Sequence, residues 1–331
     1  MNKVKSLCLA VASASCVLAS HAWAQTARPE ATTYPTKPVR IIVGFAGGGG
    51  TDVMARFFAQ RFTDAFRQTF LVENKVGAAG NIAAEYVGKS PGDGYRLLMT
   101  VSSHVINASL YKQIPYDPVK DFAPVSLVAL APNMLSAAPG RGVDSLRTLI
   151  ALAKEKPGEI TYGSPGSGTA QHLAMELFCA MAGIKLLHIP FNGGGPSTTA
   201  ALGGQVQLLA SSLPTALPHI RSGRLVPLGA TSARRSELAP ELATVTEAAD
   251  LPGYEATVWY GLFASAGTPQ PVVQKLNAEI ERLFKLPEVR ERMISMGFEP
   301  YRNSPEDFAK VVASDLQKWA KVVQISGAKA D

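Results

Sequence analysis

Three glycine-rich stretches hold most of the residues that could do chemistry in this chain of 331 residues. They occupy residues 44–52, 163–169 and 191–197, and each contains serine, threonine or asparagine beside the glycines. Glycine lets a backbone approach a ligand closely, and the unpaired N–H groups at a helix N-terminus attract anions. The predicted chemistry is therefore the binding of a small anion by backbone donors.

Each stretch lies where an open α/β sheet binds its ligand. Residues 39–43 form a β-branched run that is typical of a strand buried on both faces. Thr51 and Asp52 suit a helix start, with Thr51 as the N-cap. Strands are predicted to end at Val43, Gly163 and Ile189. Because ligands bind outside the carboxyl ends of such strands, the three stretches can converge on one site.

The residues predicted to contact the anion come from all three stretches. They are Phe45, Ala46, Gly47, Gly48, Thr51, Asp52, Ser164, Ser167, Gly168, Thr169, Asn192, Gly193 and Gly194. His172 follows the second stretch and can donate to an anion, or it can be a histidine that only packs its helix. The alternative for the whole set is three tight turns that bind nothing.

Known catalytic and metal-binding patterns are absent from the sequence. Residues 44–52 lack the Lys-Ser/Thr end of a phosphate-binding P-loop, and Asp52 stands where G-x-G-x-x-G requires its third glycine. Residues 163–168 contain no G-x-S-x-G nucleophile motif. The chain has no C-x-x-C and no H-E-x-x-H. The sequence therefore predicts a binding protein, not an enzyme, without catalytic residues, metal or cofactor.

Short apolar runs alternate with helical patterns along the chain, which indicates an α/β fold with parallel strands. Two longer runs, residues 122–131 and 254–265, flank a central α/β block and are predicted to cross between two lobes. Lobe 1 is predicted to comprise residues 38–131 and 254–331, and lobe 2 residues 132–253. Two lobes joined by two strands form a hinge with a cleft between them.

The first 24 residues have the pattern of a secretory signal peptide. Lys3 and Lys5 precede an uncharged apolar run, and Ala22-Trp23-Ala24 is a small-x-small cleavage site that leaves Gln25 as the first mature residue. Residues 25–37 are polar and contain prolines, so they are predicted to be a flexible leader. The sequence therefore predicts an exported protein.

Removal of the signal peptide changes the charge and the cysteine count. The net charge falls from +6 to +4, with 30 basic against 26 acidic side chains. This small excess, without a basic stripe interleaved with aromatic residues, does not indicate nucleic-acid binding. Cys179 becomes the only cysteine, and it is predicted to be a buried apolar residue rather than half of a disulfide.

Several segments together resemble the Bug-type receptors, the extracytoplasmic solute-binding subunits of tripartite tricarboxylate transporters. The similarity lies in residues 45–56, 73–75, 77–80, 90–95, 162–172, 191–196, 200–206 and 213–214. It implies a two-lobed periplasmic-binding-protein fold (a Venus flytrap) in the periplasm. It further implies a small carboxylate held by the first loop and the lobe 2 glycine loops, partly through ordered water. Two membrane permease subunits are the implied partners of a monomeric receptor.

Two departures from the family pattern bear on the ligand. Relatives often carry aspartate at the positions of Gln207 and Ser211, and an aspartate at the second position can pair with an ammonium group. Both residues are neutral here. The predicted ligand is therefore a plain mono- or dicarboxylate, aromatic and hydroxylated forms included, rather than an amino acid. Ser211 joins the predicted ligand-binding residues on this argument.

The expected function is that of a receptor that closes on a carboxylate and delivers it to a permease. Two alternatives stay open. One is an exported hydrolase-like enzyme that acts on an anionic substrate with His172 and a loop serine. The other is a ligand-sensing subunit that reports its ligand state to a signalling partner.

Overall fold

The computed structural model describes residues 33–329, and this range contains eleven α-helices and eleven β-strands in two sheets. The predicted signal peptide, residues 1–24, lies outside the described residues, as does most of the predicted leader. Within the described range, no helix is both long enough and apolar enough to cross a membrane.

The secondary structure alternates between strands and helices for most of its length. The strands are β1 (Val39–Val43), β2 (Phe70–Asn74), β3 (Arg96–Val101), β4 (Phe122–Ala131), β5 (Asn133–Ala137), β6 (Thr161–Ser164), β7 (Leu187–Pro190), β8 (Leu208–Ser212), β9 (Val226–Ala230), β10 (Val258–Ser265) and β11 (Glu299–Pro300). The helices are α1 (Gly50–Phe66), α2 (Asn81–Gly88), α3 (Ser103–Leu110), α4 (Leu146–Glu155), α5 (Ala170–Ala182), α6 (Gly194–Leu202), α7 (Leu213–Arg221), α8 (Val245–Ala249), α9 (Gln270–Leu283), α10 (Pro287–Ser295) and α11 (Pro305–Ser326).

The first sheet has six strands in the order β11-β4-β10-β3-β1-β2. β1 pairs in parallel with β2 and β3, whereas β10 runs antiparallel to β3 and β4. Successive side chains of a strand point to opposite faces. Val39, Ile41 and Val43 on one face of β1 and Ile42 on the other are all fully buried. The prediction of a strand buried on both faces is therefore confirmed.

The second sheet has five strands in the order β7-β6-β8-β5-β9. β6 pairs in parallel with β7 and β8, and β5 runs antiparallel to β8 and β9. We call the six-stranded sheet with α1–α3, α9 and α10 lobe 1, and the five-stranded sheet with α4–α8 lobe 2. Each sheet thus places the carboxyl ends of its parallel strands at one edge.

Two chain segments connect the lobes. The chain leaves lobe 1 along β4 and, after Pro132, continues directly as β5 of lobe 2. It returns from β9 to β10 through residues 231–257. This topology confirms the two-lobed α/β fold. The two long runs predicted to cross lie next to the crossings, because β4 and β10 pair with each other in the sheet of lobe 1. The exact residue limits of the lobes stay a prediction, because α11 contacts both α3 in lobe 1 and α5 in lobe 2.

The start of α1 differs from the predicted one. Its N-cap is Gly49, which has extended dihedral angles, and no side chain caps this end. Thr51 therefore lies inside the helix, and its assignment as the N-cap is wrong. The Asp52 carboxylate turns back and accepts a hydrogen bond from the N–H of Gly48 at 3.1 Å. A residue inside the first turn of α1 therefore provides the hydrogen-bond acceptor for a backbone N–H of the loop before the helix.

Two helices of lobe 2 also begin at other residues than the sequence predicts, since Asp144 suits the cap of one and Pro196 the first position of the other. The hydroxyl of Ser145, not the side chain of Asp144, caps α4 by accepting the N–H of Thr148 at 3.1 Å. α6 begins at Gly194, so Pro196 is the third residue of the helix rather than the first. Consecutive glycines, such as those at the start of α6, carry no side chain that would indicate where the helix begins.

Cys179 is a buried free cysteine, as predicted. It lies in the core of lobe 2, where Phe178, Tyr162 and Tyr254 are also fully or almost fully buried. Burial raises the pKa of the Cys179 thiol, and the nearby Glu176 carboxylate adds to this effect. The thiol is therefore protonated at neutral pH.

His104 lies buried in the core of lobe 1. Its ring stacks on Tyr116 and packs edge-on against Phe122, with centroid distances of 5.4 and 4.6 Å. Its Nε2–H donates to the Pro118 carbonyl at 3.0 Å, whereas Nδ1 has no hydrogen-bond partner among the described residues. Burial lowers the pKa of His104 from 6.5 to about 4, although the bond to Pro118 opposes this shift.

We expect His104 to make the folded state sensitive to acid. Between pH 6.5 and pH 4 the unfolded chain binds a proton at this position that the folded chain excludes, so the free energy of unfolding falls as the pH falls. The loss from this residue is about 3 kcal/mol, from a pKa difference of about 2.5. Urea unfolding of the wild type and of His104→Gln at pH 7 and pH 4 measures it.

The glutamine variant should be less stable at pH 7 because it loses the ring packing. Its free energy of unfolding should, however, fall by about 3 kcal/mol less than that of the wild type between pH 7 and pH 4. His219→Gln serves as the comparison, because burial and Arg224 lower the pKa of the partly buried His219 as well, so the same effect should appear there but be smaller. An identical pH dependence in the wild type and His104→Gln would contradict the expectation.

Candidate functional site

Loops at the carboxyl ends of the parallel strands meet at the boundary between the lobes. Lobe 1 contributes residues 44–49 after β1 and 75–80 after β2, and lobe 2 contributes residues 165–169 after β6 and 191–193 after β7. The N–H of Ala46 donates to the carbonyl of Asn192 at 2.9 Å. The Tyr111 hydroxyl donates to the carbonyl of Ser167 at 3.1 Å. The lobes are thus in direct contact, an arrangement that we call closed.

Two glycines of lobe 2 explain how the lobes approach so closely. A Cβ atom on Gly195 would lie 2.6 Å from the carbonyl oxygen of Gly47, a distance that side chains do not tolerate. Gly193 has a φ of +130°, and its Cβ would lie 3.0 Å from the nitrogen of Ala46. The sequence predicts that these glycines make room for a ligand. In the closed arrangement they make room for the opposite lobe.

A cavity of about 200 Å³ lies between the contacting loops. Three of the predicted residues line it, namely Phe45, Ser167 and Asn192. The other lining residues are Gly44, Val76, Gly77, Ala78, Ala79, Tyr111, Pro165, Gly166, Pro190 and Phe191. No charged side chain is among them. We call this the main cavity.

A second cavity of about 20 Å³ adjoins the main cavity, since Phe45 and Pro165 line both. N-terminal residues of four helices surround it: Gly50 and Thr51 of α1, Gln171 of α5, Gly194 of α6, and Thr215 of α7. Helix N-termini present unpaired N–H groups and a partial positive charge. A space of this size holds about one water molecule. We call it the small cavity, and it is a place for a water or a carboxylate oxygen.

Tyr260 and Ser212 line the small cavity from strands of different lobes. Burial raises the pKa of Tyr260, although its hydrogen bond with Ser212 lowers it, so the phenol is neutral. The Ser212 hydroxyl also lies 3.1 Å from the hydroxyl of Thr215. The small cavity therefore combines helix dipoles with hydroxyl groups that can donate or accept.

Three of the predicted backbone donors are already used inside the protein. The Gly48 N–H donates to Asp52 and the Gly168 N–H donates to Nδ1 of His172, at 3.1 and 3.2 Å. The Ala46 N–H donates to Asn192 of the opposite lobe. In the closed arrangement these groups shape the loops and the lobe contact.

Asp52 holds the first loop in place from inside lobe 1. It is 4% exposed and accepts hydrogen bonds from Arg56 at 2.9 Å, Asn74 at 3.0 Å and Gly48 at 3.1 Å. Asn74 also donates to the carbonyl of Phe45 at 2.8 Å. Burial raises the pKa of Asp52, but these hydrogen bonds outweigh burial and hold the pKa below its usual value. The charge faces Arg56, and Asp52 lines neither the main nor the small cavity.

Ser164 and His172, both buried, form a cluster with the half-buried His188 next to the second loop. His172 stacks on His188 with a centroid distance of 4.2 Å, and Nε2 of His188 lies 2.6 Å from the Ser164 hydroxyl. Neither Ser164 nor His172 lines the main or the small cavity. The serine of this cluster contacts His188 rather than His172, on which the enzyme alternative depends.

The remaining predicted residues lie around the cavities in different roles. Thr169 lines the small cavity and caps α5 by accepting the N–H of His172 at 3.2 Å. Gly47 and Gly193 lie at the lobe contact. Ser211 is buried in β8, where it pairs with Met134 of β5, and it lines neither cavity.

The sequence-based prediction missed the loop after β2. Residues 76–79 line the main cavity, and both Ala78 and Ala79 have positive φ angles, of 47° and 51°. Such backbone conformations are costly for non-glycine residues and concentrate at functional sites. The run Gly77-Ala78-Ala79-Gly80 follows a strand end, so the argument used for the other loops applied here as well. Tyr111, Gln171 and Tyr260 carry no comparable signal in the sequence.

Comparison with known proteins identifies the family. The protein-family model described as the tripartite tricarboxylate transporter family receptor matches residues 54–328 of this chain. The protein BugT of Bordetella pertussis is 37% identical over 301 residues, covering 90% of this chain and 92% of BugT. The chain belongs to the tripartite tricarboxylate transporter receptor family. The resemblance seen in the sequence is thereby confirmed.

Solved structures of similar proteins share the fold. The R. palustris protein Rpa4515 with adipate has a TM-score of 0.87 and 34% identity, covering 90% of this chain and all of that one. MatC from Rhodopseudomonas palustris with bound malate has a TM-score of 0.83 and 30% identity, covering 88% of this chain and all of MatC. This receptor therefore has the two-lobed fold of periplasmic binding proteins, and members of its family are extracytoplasmic proteins that bind small carboxylates.

The lobe contact leads to a prediction for Gly195→Ala. The added Cβ would overlap the carbonyl oxygen of Gly47, so closure should become less favourable by about 1–3 kcal/mol. The amide of Ala46, which closure protects through its bond to Asn192, should then exchange its hydrogen about 10 to 100 times faster. Amide hydrogen exchange followed by NMR measures this rate.

Gly203→Ala is the matched control, because a Cβ there meets only the backbone of its own helix end. It should leave the exchange rate of the Ala46 amide unchanged. Equal rates for that amide in the Gly195→Ala variant and the wild type would contradict the role of Gly195.

Proposed function

We propose that this receptor works in the periplasm, traps a small carboxylate between its lobes and delivers it to a membrane permease of the tripartite tricarboxylate type. One observation carries the proposal. Loops of both lobes enclose the main cavity, and the adjoining small cavity is surrounded by N-terminal residues of four helices. A ligand in this position contacts both lobes and stabilises their closed arrangement, which is a ligand-driven population shift.

The anion is recognised by dipoles and not by cationic side chains. Neither cavity is lined by lysine, arginine or histidine. Four helix N-termini supply partial positive charge, and hydrogen bonds to a charged group contribute about 1.5–3 kcal/mol each. One carboxylate in the main cavity reaches these donors directly or through a water in the small cavity. The residues that we propose to contact the ligand therefore combine the predicted Phe45, Ser167 and Asn192 with the loop 76–79 and Tyr111.

The lining of the main cavity favours a plain carboxylate over an amino acid. Phe45, Val76 and Phe191 offer apolar surface to a hydrocarbon chain. No aspartate or glutamate lines either cavity, so an ammonium group would find no counter-charge. A volume of about 200 Å³ is below the 300–1,000 Å³ of pockets for drug-sized ligands. The adipate and malate bound by relatives are dicarboxylates of the size that we propose here.

We also infer that the receptor is not an enzyme. The Ser164 hydroxyl is fully buried, lines neither cavity and lies against His188. A nucleophile must reach the reacting carbonyl of a bound substrate, and from this position Ser164 does not. Ser167, the other serine of this loop, lines the main cavity, and we assign it to ligand binding because the family consists of solute receptors. Export through the signal peptide at residues 1–24, with cleavage after Ala24, completes the proposal. Loss of carboxylate uptake on deletion of the gene would distinguish delivery to a permease from a purely sensory role.

Isothermal titration calorimetry tests the ligand class. We expect adipate or malate to bind, and aspartate and glutamate to bind at least about 100-fold more weakly, because an unpaired ammonium group costs about 3 kcal/mol or more in an uncharged cavity. At a hundredfold excess over its Kd the preferred dicarboxylate should stabilise the fold by about 2.7 kcal/mol. Tight binding of aspartate or glutamate, without binding of simple carboxylates, would contradict the proposed ligand class.

A further inference from the structure

A second groove crosses the lobe boundary on the other side of the first glycine loop. It has a volume of about 390 Å³. Lobe 1 contributes Gly48 and Gly50, with Arg292 and Met296 from the end of α10, and lobe 2 contributes α7 up to Arg221. We call it the Arg221–Arg292 groove. It shares no lining residue with the main cavity and only Gly50 and Thr215 with the small cavity.

Both lobes contribute walls to the groove. Its two walls meet where Gly297, just after α10, packs against Pro214 at the start of α7. A Cβ atom on Gly297 would lie 3.0 Å from the Cα of Pro214. The walls belong to different lobes, so hinge opening separates Arg221 from Arg292. The groove is therefore a structural mark of the closed arrangement.

The two arginines carry uncompensated positive charge. Both side chains are exposed, and neither forms a salt bridge with a carboxylate in residues 33–329. Arg61 of α1 adds a third cation near Arg292. Burial and the charge of Arg292 lower the pKa of Arg61, whereas the carboxylates of Asp64 and Glu288 oppose this shift. Asp64 and Glu288 are the acids that act on Arg61, so three arginines stand against two carboxylates and the groove keeps a net positive charge.

Between the arginines the groove is apolar. Val53, Leu217, Pro218 and Met296 line it, and Leu217 is almost fully buried. A small inorganic anion would be held only by exposed, hydrated guanidinium groups, which contribute little. A chain segment that places an apolar side chain between carboxylates would gain both burial and charge pairing.

We propose that the Arg221–Arg292 groove docks a segment of the permease in which carboxylate side chains flank an apolar side chain. The proposal rests on the proposed receptor function, because the permease is the partner that must distinguish the closed, loaded receptor from the open one. Docking then depends on closure, because Arg221 and Arg292 belong to different lobes and line one groove in the closed arrangement. The partner's affinity is then coupled to the affinity for the carboxylate.

Fluorescence anisotropy with a labelled synthetic peptide tests the docking surface. The probe contains one leucine flanked on both sides by glutamates. We expect saturating adipate to strengthen its binding to the wild-type receptor at least tenfold. The double variant Arg221→Glu/Arg292→Glu should lose at least tenfold in peptide affinity in the presence of adipate. It should keep its adipate affinity in calorimetry, because neither arginine lines the main cavity.

The matched control is Arg147→Glu/Arg290→Glu, which makes the same charge change on exposed positions of α4 and of α10 itself. It should bind the peptide like the wild type. Equal peptide affinities of the two double variants would overturn the docking surface, as would peptide binding that adipate does not change although calorimetry shows adipate bound. Both results would leave the receptor function intact.

Two other occupants would also overturn the proposal. Full displacement of the peptide by an equal concentration of inorganic phosphate would indicate a small-anion site. Dimerisation with adipate, lost in Arg221→Glu/Arg292→Glu in analytical ultracentrifugation, would indicate a second copy of the receptor. If no carboxylate binds to the wild type, the proposed function fails, and the docking proposal fails with it.

Discussion

The backbone contact between the Gly47 loop of lobe 1 and the Gly195 turn of lobe 2 is the constraint on which the rest of the structure depends. A single Cβ at Gly195 would overlap the carbonyl oxygen of Gly47. Because glycines without side chains occupy this contact, the lobes approach closely enough for the Ala46 N–H to donate to the carbonyl of Asn192. The main cavity, the small cavity and the Arg221–Arg292 groove are all bounded by this meeting of lobes. Local glycine content thus sets a global property, the completeness of closure.

Charge is distributed in a way that suits a receptor that must bind and release. The cavities carry no charged side chains, and we propose that helix dipoles and hydroxyl groups hold the carboxylate. The one acid of the first loop, Asp52, faces Arg56 and Asn74 and stabilises the loop. The unpaired arginines lie outside, at the Arg221–Arg292 groove. Preorganised dipoles give specificity for an anion without the cost of burying an unpaired cation.

The sequence predicted the fold well because strand ends and helix starts are local signals. The glycine loops after Val43, Gly163 and Ile189 all lie at the lobe boundary. Ser304 is followed by proline and two acidic residues, which predicts a helix start, and it caps α11 by accepting the N–H of Asp307. β5 escaped prediction, since its burial comes from pairing with β8 and β9 rather than from its own pattern.

The site was predicted only in part, for a physical reason. Spacing along the chain indicates which loops lie at the strand ends, but not which atoms of those loops are already bonded. The N–H groups of Ala46 and Gly48 donate to Asn192 and Asp52. These hydrogen bonds form only in the folded protein, so the sequence does not indicate them. Tyr260 reaches the small cavity from β10, and no local sequence pattern indicates that position.

A distance measurement between the lobes tests the central claim, that a carboxylate closes this receptor. Nitroxide labels on Gln60→Cys of α1 and Lys154→Cys of α4, both exposed, are introduced in a Cys179→Ala background. Double electron–electron resonance then reports the distance with and without adipate. We expect adipate to shorten the distance and to narrow its distribution. An unchanged distribution, with adipate shown to be bound by calorimetry, would contradict the account.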